Sequence, residues 1–204
     1  MTFVWRTGRA MARQLRDVRA VLFDRDDTLV RDIPRYNGDP ELVQLLPGAA
    51  EAVARVREAG LPTGIVSNQS GIGRGHVSVE QVEQVNARVD ELIGPFDTWQ
   101  YCPHTPTDLC GCRKPAPGLV HAACEALGVH PHHTVLIGDI GSDVQAAQAA
   151  GAVGILVPSP RTLRAEVRDA PLVAWSLAEA LDLFLARHAA SVGGGDALSR
   201  TAPR

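Results

Sequence analysis

Three features of common protein classes are missing from this chain of 204 residues. Its formal net charge is −3, whereas nucleic-acid-binding proteins usually carry a basic surface. No segment approaches the roughly 18 apolar residues of a membrane span. The Arg-rich first segment, residues 1–20, has no apolar stretch of the kind that marks a secretory signal. We therefore expect a cytoplasmic protein with no nucleic-acid or membrane partner. A monomer is the default expectation, because no long apolar patch stands out.

Cysteine is scarce, but three of the four cysteines lie within one short loop, "CPHTPTDLCGCRKP". Stable disulfides are not expected in the cytoplasm, and a Cys-x-Cys disulfide would be sterically poor. Three thiolates and one imidazole instead suit a closed tetrahedral Zn²⁺ site. The predicted Zn²⁺ ligands are Cys102, His104, Cys110 and Cys112. Since a closed site has no open position for substrate, we expect this zinc to be structural and to hold a loop that leads directly into Arg113 and Lys114.

Short apolar runs alternate with helical patterns along the chain. The predicted strands are Ala20–Asp24, Pro62–Asn68, His133–Asp139 and Val153–Val157. The predicted helices are Pro47–Ala59, Ser78–Ile93, Pro117–Leu127 and Ser142–Ala150. Strands that alternate with helices predict βαβ units and therefore a parallel sheet. We expect an N-terminal extension over residues 1–17, one α/β domain over 18–188 and a flexible Gly-rich tail over 189–204.

Each of the first three predicted strands ends in residues that carry chemistry. The first strand ends in Asp24 and is followed by Asp26, the second ends in Ser67 and Asn68, and the third ends in Asp139 and is followed by Asp143. In an open parallel sheet, ligands bind at the carboxyl ends of the strands, so these side chains should converge.

Clustered carboxylates repel one another unless a cation or a shared proton lies between them. A hard divalent ion such as Mg²⁺ prefers carboxylate, carbonyl and water ligands. Arg113 and Lys114 add fixed positive charge, and Ser67 adds a hydroxyl. Each of these short segments alone is commonly a turn, a helix cap or a solvated surface segment. Together, and in this order along the chain, they suit a site that binds a phosphoryl group, whose oxygens must be neutralised.

The four segments "DRDDTL", "SNQSG", "CRKP" and "GDIGSD" resemble the motifs of the haloacid dehalogenase (HAD) superfamily of phosphatases. The resemblance implies a three-layer Rossmann-like α/β fold, with Asp24 as a nucleophile that forms an aspartyl-phosphate and Asp26 as general acid and base. It implies that Asp24, Asp139 and the backbone carbonyl of Asp26 hold Mg²⁺, with Asp143 in support. The implied phosphate- and substrate-binding residues are Ser67, Asn68, Arg113 and Lys114.

Two features of the segment after the first predicted strand bear on what the resemblance implies. Asp27 stands where the superfamily motif usually has Gly, and Asp tolerates unusual backbone angles better than most residues. We expect the fold to survive, while an inward-pointing Asp27 would weaken phosphate binding. The segment 30–48 is too short for a separate cap domain, so we expect an open site suited to a small or extended substrate.

Within the superfamily, the zinc loop resembles the branch that contains heptose 1,7-bisphosphate and histidinol-phosphate phosphatases. "SNQSGIGRG" is similar to the heptose enzymes, whereas the five-residue spacing between His104 and Cys110 is similar to the histidinol-phosphate enzymes. Loops between metal ligands tolerate changes of length, so we give the first feature more weight and expect removal of the C7 phosphate of a heptose bisphosphate. The alternatives are histidinol phosphate, another small sugar or polyol phosphate, and a non-catalytic protein that binds a phosphorylated ligand.

Overall fold

The computed structural model describes residues 8–33 and 36–186. The predicted tail, and residues 1–7 of the predicted extension, lie outside the described residues. Five parallel strands form one sheet in the order β3-β2-β1-β4-β5. The strands are β1 (Ala20–Phe23), β2 (Thr63–Asn68), β3 (Thr98–Cys102), β4 (Thr134–Gly138) and β5 (Val153–Leu156). Four of these strands were predicted, and the parallel α/β sheet is confirmed.

Strand β3 was missed by the sequence reading. It lies at the edge of the sheet and pairs only with β2 among the described residues. Its three central residues are only partly buried, so its sequence "TWQYC" lacks the continuous apolar run of a strand covered on both faces. Its last residue is Cys102, so the loop that holds the predicted zinc ligands begins at a strand end.

Helices cover both faces of the sheet. In chain order they are α1 (Arg9–Gln14), α2 (Ala49–Glu58), α3 (Ser70–Gly73), α4 (Val79–Ile93), α5 (Gly118–Ala126), α6 (Gly141–Ala150), α7 (Arg164–Asp169) and α8 (Leu177–Asp182). Helix α4 begins as predicted, because the Gln81 amide donates to Ser78 Oγ at 3.2 Å and the Ser78 amide donates to Gln81 Oε1 at 2.9 Å.

Two separate apolar clusters show why the molecule has three layers. Side chains of a strand alternate between the two faces of the sheet, so Val21 and Phe23 enter one cluster while Leu22 enters the other. The first cluster includes buried residues of α2, α4 and α8, and the second includes those of α5 and α6. The predicted three-layer fold is therefore confirmed.

The residues around α1 and the segment after β1 complete the architecture. Leu15, just after α1, is buried in the first cluster together with Val18. Between β1 and α2, the described residues contain only one short 3₁₀ helix, Pro40–Leu42, and no large cap domain. Within the described ranges, no helix has the length and apolar character needed to cross a bilayer.

Candidate active site

A cleft of about 690 Å³ opens at the carboxyl ends of the strands. Its acidic lining residues are Asp24, Asp26, Asp27, Asp32 and Asp139. Its cationic lining residues are Arg25, Arg113, Lys114 and Arg161. Ser67 and Asn68, the last residues of β2, line the same cleft, so the structure brings the carboxyl ends of β1, β2 and β4 together with the RKP segment.

Lys114 is the buried cation at the base of this cleft. Its Nζ atom lies 2.7 Å from Asp24 Oδ1 and 2.5 Å from Asp143 Oδ1, and it donates to the carbonyl of Val66 at 2.8 Å. Burial alone would lower the pKa of the Lys114 ammonium, but the carboxylates of Asp143 and Asp24 outweigh it and hold the pKa above its ordinary value. Lys114 therefore carries a fixed positive charge next to Asp24.

Three carboxylates meet beside that lysine. Asp24, Asp139 and Asp143 each offer an oxygen within 4.8 Å of the others. Burial is the largest cause that raises the pKa of Asp24 to about 8, although Lys114 opposes it. Burial likewise raises the pKa of Asp139 to about 7, although a hydrogen bond from Ser159 opposes it. Buried carboxylates this close together do not all ionise unless a positive charge balances them. Their oxygens therefore fit a hard divalent cation such as Mg²⁺.

Gly138, the last residue of β4, allows Asp143 to reach the cluster. A Cβ atom at Gly138 would lie only 2.4 Å from Asp143 Cγ. Glycine at position 138 is therefore needed for close packing of the first turn of α6 against the strand.

Asp26 is oriented by three donor groups. Arg25 donates from Nε to Asp26 Oδ1 at 3.0 Å and from Nη2 to Oδ2 at 3.1 Å. Gln69 Nε2 donates to the same Oδ2 at 2.7 Å. Arg25 is itself 1% exposed and donates to Asn86 Oδ1 at 2.7 Å. The carboxylate of Asp26 is thus fixed at the wall of the cleft, and its predicted part in acid–base chemistry stays a prediction.

Asn68 joins the end of β2 to the backbone of Lys114. Its Nδ2 donates to the Lys114 carbonyl, and its Oδ1 accepts from the Lys114 amide, both at 3.0 Å. Ser67, one residue earlier, accepts from Gln69 Nε2 at 2.8 Å. The phosphate-binding roles of Ser67 and Asn68 stay predictions, while the geometry gives Asn68 a second task, that of positioning Lys114.

Sequence reasoning missed the loop that follows β5. Ser159 Oγ donates to Asp139 Oδ2 at 2.7 Å, and Thr162 Oγ1 donates to the Asp139 carbonyl at 2.5 Å. The signal that could have found this loop is a group of polar residues after the fourth predicted strand, because the same kind of signal pointed to Asp24 and Asp139.

Asp27 adopts a left-handed backbone conformation, with φ of 55°. This is the region that glycine populates readily, and Asp enters it at lower cost than most residues. Its Oδ1 accepts the Asp32 amide at 3.0 Å, and its Oδ2 lies 3.3 Å from Arg161 Nε. The carboxylate of Asp27 is therefore held by neighbours on the cleft wall.

The four predicted zinc ligands form a compact cluster. Sulfur–sulfur distances are 3.2 Å for Cys102–Cys112, 3.3 Å for Cys110–Cys112 and 3.6 Å for Cys102–Cys110. His104 Nδ1 lies 3.5 Å from Cys102 Sγ and 3.3 Å from Cys112 Sγ. A tetrahedral zinc site with standard bond lengths has ligand–ligand distances of about 3.6 to 3.8 Å. All four cysteines are free, and the Cys₃His set fits a tetrahedral metal ion.

Arg113 connects the Cys₃His cluster to the cleft. Its Nη1 donates to the His104 carbonyl at 3.2 Å, while its side chain lines the cleft with Lys114. Among the residues that the structure describes, the Cys₃His cluster and the Asp24 cluster are the two groups suited to hold a metal ion. The cleft thus combines a buried carboxylate–lysine pair with room for a cation, an arrangement suited to phosphoryl transfer.

Comparisons with known proteins point to the same class. A family model described as HAD-hydrolase-like matches residues 111–180. A D-glycero-beta-D-manno-heptose-1,7-bisphosphate 7-phosphatase of Pseudomonas putida is 33% identical over 163 residues, which cover 76% of this chain and 93% of that protein. A D-glycero-D-manno-heptose-1,7-bisphosphate 7-phosphatase of Chlorobaculum tepidum is 36% identical over 159 residues, covering 70% of this chain and 80% of that protein.

Solved structures agree with the sequence comparisons. The D,D-heptose 1.7-bisphosphate phosphatase of B. bronchiseptica, complexed with magnesium and phosphate, matches with a TM-score of 0.74 and 27% identity. That match covers 83% of this chain and 99% of the other. The chain belongs to the HAD-like phosphatases, and the expected superfamily is confirmed.

Proposed function

We propose that this phosphatase is a Mg²⁺-dependent phosphomonoesterase that removes the C7 phosphate of D-glycero-D-manno-heptose 1,7-bisphosphate. The observation that carries the chemistry is the buried Asp24 carboxylate, 2.7 Å from Lys114 Nζ at the base of an open cleft. The substrate is supported by the names of the relatives at 33% and 36% identity. We also propose that it acts as a cytoplasmic monomer, with residues 18–188 as the catalytic domain.

The first half of the proposed reaction transfers the phosphoryl group to the protein. The Asp24 carboxylate attacks phosphorus, the bond from phosphorus to the C7 oxygen breaks, and the carboxyl proton of Asp26 goes to that oxygen. Lys114, held against Asp24, neutralises the equatorial phosphoryl oxygens, and Ser67 donates to them. The products of this half are the free C7 hydroxyl and an aspartyl-phosphate.

The second half regenerates the protein. Asp26, now a carboxylate, takes a proton from a water molecule that attacks phosphorus, and the bond between phosphorus and Asp24 breaks. Inorganic phosphate leaves, with Asp24 ionised and Asp26 protonated again. Both Asp26 oxygens accept hydrogen bonds from Arg25, and Oδ2 also accepts from Gln69, so the carboxyl would give up one of these bonds while it holds the proton.

Asp24, Asp139 and the Asp26 carbonyl would hold Mg²⁺, with Asp143 in support. When bound, the ion supplies positive charge that offsets the clustered carboxylates and the phosphoryl oxygens. We propose that Cys102, His104, Cys110 and Cys112 bind a structural Zn²⁺, which would set the position of the following Arg113 and Lys114.

Histidinol phosphate is the second candidate substrate, because the spacing of five residues between His104 and Cys110 is similar to that branch. The test is phosphate release with Mg²⁺ from heptose 1,7-bisphosphate and from histidinol phosphate at equal concentration. We expect kcat/KM to favour the heptose by about 100-fold, a difference of roughly 3 kcal/mol in transition-state binding. The reverse preference would assign histidinol phosphate. Slow release from both would contradict the heptose assignment and lead to other small sugar or polyol phosphates.

A further inference from the structure

Arg161 forms an ionic bridge across the mouth of the cleft. It lies in the loop between β5 and α7, and its guanidinium contacts Asp27 and Asp32, which lie in the loop after β1. The Arg161 Nε atom is 3.3 Å from Asp27 Oδ2, and its Nη1 atom pairs with Asp32 Oδ2. We call these three residues the Arg161 clasp. It joins two loops that approach the site from strands on either side of β4.

The two acidic members of the clasp are placed where they would repel a phosphorylated ligand. Both line the cleft, and their side chains are only 17% and 23% exposed, so solvent screens them incompletely. Asp27 cannot easily swing away, because its Oδ1 accepts the Asp32 amide at 3.0 Å and its backbone is in the left-handed region. Asp27 and Asp32 therefore add negative charge to a cleft that must admit an anion.

Arg161 is positioned to compensate those charges. Its own amide donates to Ser159 Oγ at 3.1 Å, and the flanking Ser159 and Thr162 are both bonded to Asp139. The loop that carries Arg161 is thus fastened to one of the proposed metal-binding residues. Each side of the clasp is held independently, so the guanidinium stays between the two carboxylates.

We propose that Arg161 is a positioning residue that offsets part of the negative charge of Asp27 and Asp32 and so keeps the cleft open to phosphate. It is not placed as a direct phosphate ligand, because its Nε and Nη1 atoms are directed at Asp27 and Asp32. The proposal rests on the phosphatase activity but not on the identity of the sugar. Binding of inorganic phosphate therefore tests it separately from the heptose assignment.

The test begins with Arg161→Gln and calorimetric titration with two probes, inorganic phosphate in the presence of Mg²⁺ and Mg²⁺ alone. Two uncompensated carboxylates should weaken phosphate binding by about three- to tenfold at low salt. The affinity for Mg²⁺ should stay the same or increase, because the site becomes more negative. The phosphate deficit should shrink as ionic strength rises, since salt screens partly exposed charges. A purely structural role would instead weaken both ligands and lower the melting temperature.

A second background separates compensation from direct contact. Asp27→Asn with Asp32→Asn removes both charges but keeps side-chain acceptors, and Asn also tolerates a positive φ. In that background Arg161→Gln should change the phosphate affinity by less than about twofold. An undiminished loss would show that Arg161 binds the phosphate itself and would overturn the proposal. Arg164→Gln, at an exposed arginine three positions further on, is the matched control and should leave both affinities unchanged.

Discussion

The two clusters suited to metal ions differ in how the chain assembles them. The cysteine cluster is built from one loop, residues 102–112, and three of its four members are only partly buried. The carboxylate cluster joins Asp24, Asp139 and Asp143, which follow two different strands, and all three are buried. A cluster built from one loop is visible in the spacing of its ligands. A cluster built from strand ends becomes visible only once the sheet topology is known.

The two clusters are nevertheless connected through one short segment. Arg113 contacts the His104 carbonyl on the cysteine side, while Lys114 contacts Asp24 and Asp143 on the carboxylate side. Loss of a ligand in the cysteine cluster should therefore displace Lys114, whereas a substitution in the carboxylate cluster should leave metal binding by the cysteine loop unchanged. The following predictions test this asymmetry.

The largest effect is expected from Asp24→Asn, in the carboxylate cluster. An amide is a poor nucleophile, so kcat should fall by about a thousandfold or more, while zinc content and far-UV circular dichroism stay unchanged. Acid-quenched samples should contain no phosphorylated protein. Asp17→Asn, at an exposed site, serves as the control and should retain full turnover. Turnover of the Asp24 variant at the normal rate would disprove the covalent mechanism.

A smaller loss of activity is expected from Cys110→Ala, in the cysteine cluster. Loss of one of four ligands should reduce the zinc content, measured by elemental analysis, towards zero. Displacement of Lys114 by about 1 Å should then lower kcat/KM by up to about a hundredfold. Cys124→Ala is the matched control. Cys124 lies in α5, is buried next to Thr134 of β4 and is not one of the four clustered ligands, so zinc should stay bound. Full zinc occupancy in the Cys110 variant would show that the ligands are misassigned.

The smallest effect concerns the response of the melting temperature to pH and Mg²⁺. Burial raises the pKa of Asp24 to about 8 and that of Asp139 to about 7, so the folded protein binds protons that the unfolded chain has already released. That contribution to stability is complete below about pH 4 and is lost as pH rises through about 7 to 8. Without metal, the melting temperature should therefore fall between about pH 5 and pH 8.

Mg²⁺ should replace those protons, so the rise in melting temperature that it causes should be larger at the higher pH. Asp139→Asn should reduce the slope of melting temperature against pH in the metal-free protein. If Mg²⁺ stabilises the protein equally at both pH values, the carboxylate cluster is not where the ion binds.

Four of the five strands were predictable from the sequence, and the burial of each strand explains both these four and the exception, β3. Strands β1, β2, β4 and β5 were recognised because strands covered on both faces read as apolar runs. Strand β3 was not, because an edge strand with partly exposed residues mixes apolar and polar side chains. The helix start at Ser78 was predicted correctly because its capping box depends only on residues three positions apart.

The candidate site was predictable to a similar depth. Convergence of Asp24, Ser67 and Asp139 followed from the rule that parallel strands end at one edge of the sheet. The bonds of Asn68 to the Lys114 backbone and of Arg161 to Asp27 did not follow. Both join loops that are distant in the sequence, and no local pattern records which side chain meets which.

Short-range patterns were enough to predict the apolar runs, the start of α4, the Cys₃His spacing and the motifs of the HAD-like phosphatases. The partners of the charged groups became known from the folded arrangement alone. It placed Lys114 between Asp24 and Asp143, and Arg161 between Asp27 and Asp32. The physical reason is that the energy of a buried or half-buried charge depends on its few nearest neighbours in space. In this cleft those neighbours come from segments that are far apart in the sequence, 90 positions in the case of Asp24 and Lys114.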